Sequence, residues 1–146
     1  MNISDLEFYT YKAKCKRIVD GDTMVVIADL GFGVSKEMML RLLDIDTPEL
    51  RSKNVSERTH AQKAKEFVER QIFWNDPVTR GKCNLVEQVS CNLVIKTKKD
   101  KTGKYGRYLA TVYYQCPLSG VLTDLNQMLK DEGFEKKESY DAPIEH

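Results

Sequence analysis

Polar and apolar residues alternate through the first third of the chain. "YKAKCKRIV" has the two-residue period of a half-buried strand, "DGDT" turns the chain, and "MVVIADL" continues as a second β-rich run. Gly31 and Gly33 in "LGFG" mark the next turn, which leads into a third strand over roughly 34–45. Along it Arg41, Leu43 and Ile45 share one face, and Leu42, Asp44 and Asp46 the other, until Pro48 interrupts regular pairing. From Ser56 the period lengthens: Ala61, Ala64, Val68 and Ile72 recur at helical spacing, with Ser56 as the expected N-cap. After the loop "NDPVTRGK", Val89, Cys91, Leu93 and Ile95 alternate on one face of a fourth strand, and "YLATVYY" returns as a fifth. Val121, Leu122, Leu125, Met128 and Leu129 then form one helical stripe, with Gly133 placed to end it.

Five strands with a helix between the third and fourth follow the order of an OB-fold. That predicts an α+β, mainly β architecture: a five-stranded Greek-key barrel with two helices. Other α+β topologies share the order, and fold alone does not give function. A chain of 146 residues fits a single domain over 1–146 and buries enough surface to fold without staples. With 41% hydrophobic and 31% charged residues it reads as globular, and no apolar run reaches membrane-spanning length, so no membrane partner is expected. "MNISDLEFYTYK" has neither a basic leader nor an apolar core, which predicts an intracellular protein. Cys15, Cys83, Cys91 and Cys116 are too scattered for a thiolate metal site, and Cys15 and Cys91, each in an alternating apolar pattern, read as reduced core residues. With only His60 and His146 present, histidine-based hydrolysis is improbable.

Charge changes this picture through its placement. The net charge is only +1, yet "KTKKDKTGKYGR" concentrates basic residues between Lys96 and Arg107. Such a run is ordinarily a solvated loop. Two acidic clusters give it another meaning. A lone Asp-Gly is ordinarily a hairpin turn, but Asp22 is a second carboxylate that the turn does not need. In "RLLDIDTPE", Pro48 biases Thr47 toward extended backbone, so an Asp46 carboxylate oxygen, the Thr47 carbonyl and the Glu49 carboxylate can converge, as a hard cation requires. The bland alternative is a strand end and a polar turn. Arg41 and Arg107 offer two planar guanidinium forks suited to phosphate oxygens. Phosphodiester cleavage needs a cation, donors for the charge of a five-coordinate transition state, and a base or orienter for water. The three clusters contain candidates for each.

"VDGDT", "LRLLDIDTPE" and "KYGR", in this order and separated by a helix, resemble the staphylococcal nuclease (thermonuclease) family over roughly 11–134. The resemblance implies that Asp22 and Asp46 are calcium carboxylates and that Thr47 lends its main-chain carbonyl. It makes Glu49 the residue that activates or orients the attacking water, and Arg41 and Arg107 the pair that holds the scissile phosphate. Lys104 and Tyr105 match contacts to a neighbouring phosphate, Asp20 a structural aspartate beside the metal, and Tyr140 the one residue near the family's tyrosine pair able to stack on a base. The implied reaction is Ca2+-dependent hydrolysis of DNA and RNA, single strands preferred, at the P–O5′ bond, leaving 3′-phosphate ends. The chain reads as having the prototype's third helix missing or replaced. A monomer is expected, and the missing export signal points to a cellular, plasmid- or virus-encoded relative rather than a secreted one. The competing class is a non-catalytic nucleic-acid or protein-binding module on the same fold.

Overall fold

The computed structural model describes residues 3, 8–73, 92–102, 106–115 and 121–140. The expectations for Cys83, Val89, Cys91, Lys104, Tyr105, Cys116 and His146 lie outside the described residues. Strands β1 (Thr10–Asp20), β2 (Thr23–Gly31) and β3 (Val34–Leu42) form the expected meander, followed by helix α1 (Val55–Phe73). Strands β4 (Asn92–Thr102), β5 (Tyr108–Gln115) and β6 (Leu122–Asp124) and helix α2 (Leu125–Asp131) complete the order.

β1 is the centre of the sheet and pairs antiparallel with β2 on one side and β4 on the other. The barrel closes where β3 meets β5 in parallel, with Leu40 opposite Tyr108, Arg41 opposite Leu109 and Leu42 opposite Ala110. The result is the five-stranded mixed barrel with two helices that the strand order predicts, with short β6 added beside β5. Inward residues fill it: Val26, Leu40, Leu42, Leu93, Ile95 and Val112 are fully buried. Each such aliphatic side chain is worth about 1.5–3 kcal/mol relative to exposure. Ala64, Val68 and Ile72 of α1 and Leu125 and Leu129 of α2 are likewise buried, which explains their helical spacing.

A buried amide pins the closing seam. Asn126 Nδ2 donates to the carbonyls of Leu43 (2.9 Å) and Ala110 (3.1 Å), while its Oδ1 accepts the Val112 N–H at 3.0 Å. Backbone groups at the seam are thereby paired where β3 has already ended.

Three boundaries differ from the sequence reading. β3 stops at Leu42 instead of continuing to residue 45, because Asp44 takes a left-handed conformation (φ 61°) that turns the chain. Asp44 therefore stands on a turn and Asp46 in the loop that follows it, neither on a strand face. The cap of α1 is Asn54: its Oδ1 accepts the Glu57 N–H at 3.2 Å, and Ser56 is already helical. Leu122 belongs to β6, and α2 begins only after Asp124, whose carboxylate accepts the Gln127 N–H. The stop at Gly133 agrees with the reading. Gly133 has φ 78°, its N–H donates to the Lys130 carbonyl, and the Phe134 N–H donates to that of Leu129, a Schellman motif.

Candidate active site

Asp20 and Thr23 pair across the two-residue turn that joins β1 to β2. The turn lies flush against its surroundings: a Cβ on Gly21 would stand 3.0 Å from the Ala64 Cβ of α1 and 3.1 Å from the Thr47 side chain. Asp22 is stitched into place by three bonds. Its Oδ1 accepts the Thr23 hydroxyl (2.9 Å), its Oδ2 accepts the Thr47 N–H (3.1 Å), and its carbonyl accepts the Leu42 N–H (2.8 Å). Asp22 thus joins the end of β3, through its carbonyl, to the loop that follows, through the carboxylate that the turn itself did not need.

Arg41, in register with Thr23, reaches two carboxylates with one nitrogen: Nη2 lies 3.3 Å from Asp46 Oδ1 and 3.9 Å from Asp22 Oδ2. Arg107, just before β5, donates from Nη1 to Thr23 Oγ1 at 3.1 Å. A relay therefore runs from Arg107 through the Thr23 hydroxyl to Asp22. Asp22, Arg41, Asp46, Thr47, Glu49 and Arg107 all line one cleft of about 1070 Å³. Asp20 lines it as well, and its carboxyl is pushed up by burial and by the neighbouring charges of Asp22 and Glu49, against the pull of Lys65 and Arg51.

The donor set is all oxygen. Two carboxylates, Asp22 and Asp46, sit close enough to share one guanidinium, and Thr47 follows directly in the chain. Hard cations select such ligands, and those given few protein oxygens complete their shells with water or substrate. Among the described residues no cluster of three or more His, Cys, Asp or Glu forms a ready cage. The Thr47 hydroxyl is buried with no hydrogen-bond partner among the described residues.

Glu57, and Lys136 in the segment after α2, were not singled out from sequence. Glu57 is buried, and its Oε2 accepts the Glu49 N–H at 3.2 Å. Lys136 Nζ lies 3.9 Å from the same oxygen, and the Lys136 N–H donates to the Asp46 carbonyl at 2.6 Å. An Asn-x-x-Glu spacing opens α1 like a capping box, which was the available signal. Here, however, Ser52 Oγ satisfies the Asn54 N–H, leaving the glutamate for Glu49. His60 holds the segment from the other side. Its Nε2 pairs with the Gly133 carbonyl (2.9 Å) and so carries the proton, while Nδ1 accepts from the Tyr140 hydroxyl (2.7 Å). Tyr140, matched to a base-stacking role, has its hydroxyl against His60 and the Lys137 N–H, and its ring 5.8 Å from the imidazole. It does not line the cleft.

A small closed barrel with two helices, carrying carboxylates and two arginines in one cleft, defines an α+β protein of the OB-fold class. The chain belongs to the staphylococcal nuclease family: the family model "Staphylococcal nuclease homologue" matches residues 39–146. It is also similar to a thermonuclease of Staphylococcus hyicus, 27% identical over 138 residues, covering 94% of this chain and 64% of that relative. The chain thus spans a little under two thirds of the relative's length. No helix among the described residues is long and apolar enough to cross a membrane.

Proposed function

We propose that the protein is a Ca2+-dependent nuclease that hydrolyses phosphodiester bonds of DNA and RNA, preferring single strands and leaving 3′-phosphate ends. The observation that carries this reading is the meeting of Asp22, Asp46, Thr47 and Glu49 with Arg41 and Arg107 in one cleft. Asp22, Asp46 and the Thr47 carbonyl would hold the cation, which supplies positive charge to the phosphate and offsets the two carboxylates that otherwise engage Arg41.

Arg41 and Arg107 approach from β3 and from the start of β5, so they can donate to phosphate oxygens that gain charge in the transition state. Glu49 is exposed at the rim, where its carboxylate can orient a water and take its proton. Attack at phosphorus breaks the P–O5′ bond, and the 5′-oxygen leaves as an alcohol after taking up a proton. Lys104 and Tyr105 are proposed to contact a neighbouring phosphate, and Tyr140 a base.

The test is cleavage of single-stranded DNA by purified protein with Ca2+, Mg2+ or EDTA, beside Glu49→Gln and Arg107→Ala. Calcium-dependent cleavage lost in both variants supports the reading. Strand binding without any cleavage refutes it in favour of a binding module.

A further inference from the structure

We propose that the outward face of β1 and β4 is a track for the phosphate backbone of a single-stranded nucleic acid, leading from Lys14 past Lys12, Lys96 and Lys98 to Arg107. The inference rests on the nucleic-acid partner proposed above and extends it well beyond the cleft.

Strand register carries the argument. Lys14 lies opposite Asn92, Lys12 opposite Val94, and Lys96 opposite Thr10. Lys98 stands two residues further along β4. One lysine therefore occupies each of four successive outward rungs, crossing from β1 to β4 midway. Two residues of strand advance about 6.7 Å, so the line is about 20 Å long. All four side chains are exposed, and none forms an ion pair among the described residues. Lys16, next along β1, is by contrast engaged by Glu37.

Two neighbouring acids, Asp29 and Asp124, leave the line an excess of positive charge, four lysines against two carboxylates that are each oriented by a backbone N–H. Asp29, across from Lys12, accepts the Gly31 N–H, and Asp124, across β5, caps α2. Tyr113, in register with Val94, offers a partly exposed ring on the same face, where a base could stack. A depression of about 500 Å³ lies beside Lys12 and Lys14. At the other end Thr97 pairs with Ala110, and the preceding residue of β5, Leu109, lines the cleft beside Arg107. A strand bound at the scissile position therefore meets the lysines as it leaves the site.

The test is fluorescence anisotropy in EDTA with labelled oligothymidylates, one long and one a tetranucleotide, across a salt series. The protein is compared with a variant carrying Lys12→Gln, Lys14→Gln, Lys96→Gln and Lys98→Gln. Each phosphate contact contributes about 0.7 to the salt slope on single strands, so the slope for the long oligomer should fall by about 3. The tetranucleotide, confined to the cleft, should keep its affinity. An unchanged slope on the long oligomer overturns the track, as does an equal loss for both lengths. Should the fourfold variant fail to fold, Lys12→Gln and Lys96→Gln alone should each lower the slope by about 0.7, and no change would again overturn it. Because binding is read without cleavage, a protein that binds with the full slope but never cuts would refute the hydrolysis and support the track.

Discussion

Glu57 accepts a hydrogen bond from the main-chain N–H of Glu49 at 3.2 Å, so one buried carboxylate fixes the backbone of the residue assigned to the water. Replacing it with Leu leaves that N–H without its acceptor and Lys136 without its carboxylate neighbour. Loss of a buried partner costs about 1–3 kcal/mol. Glu57→Leu should therefore lower both the melting temperature and kcat with little change in KM, whereas Glu57→Gln, which keeps an acceptor oxygen, should recover most of kcat. Steady-state kinetics on single-stranded DNA decide it, and equal loss in both variants would remove the positioning role.

Gly21 has no room for a methyl group. Its Cβ would press on the Ala64 Cβ at 3.0 Å and on Thr47 at 3.1 Å, and overpacking costs about 1–3 kcal/mol. Gly21→Ala should lower the urea midpoint, and adding Ala64→Gly should restore part of it. No recovery in the double variant would show that the helix contact is not the cause.

Calcium should raise the melting temperature of the protein by binding only the folded state. Asp22→Asn and Asp46→Asn should each weaken that shift, because each removes a carboxylate from the donor set. Differential scanning fluorimetry over a calcium titration, with EDTA as baseline, reads this independently of cleavage. A shift that survives both variants would place the cation elsewhere.

The Cys15 thiol is buried in the core and pushed up to about 12 by desolvation, from an ordinary 9.0. Between these values the folded form keeps a proton that the unfolded form releases, so stability falls as pH rises from 9.0 toward 12. Cys15→Val should flatten this alkaline decline, as measured by urea unfolding at several pH values. The wild-type thiol should also resist alkylation until the protein is unfolded; rapid labelling of the native protein would contradict its burial.

Much of the fold was legible because period reports burial. The alternation in β1 and the helical spacing of Ala61, Ala64, Val68 and Ile72 both point to residues that the structure buries. Boundaries were less legible where a distant group sets them. β3 ends as Asp44 turns left-handed and Asn126, far along the chain, takes the Leu43 carbonyl. Leu122 joined a strand and not the helix because β5 presents an edge to it.

At the candidate site, sequence named the groups that the structure gathers in one cleft but not their supports. Asp22 was visible as a carboxylate that its turn does not need, Arg107 as the end of a basic run, and Arg41, Asp46, Thr47 and Glu49 because charge and Pro48 interrupt an apolar pattern. Glu57, Lys136 and His60 look like ordinary surface residues of a helix and a tail, and only the return of the chain beside α1 gives them partners.

By itself, then, the sequence determined the strand and helix periods, the family pattern and the set of groups able to handle a phosphate, since these depend on residue type and near spacing. Tertiary structure alone decided that Arg107 joins Thr23 and Asp22, that the tail after α2 braces Asp46 and Glu49, and that lysines of β1 align with those of β4. Those relations depend on strand register and on barrel closure, which bring together residues tens of positions apart that no local pattern connects.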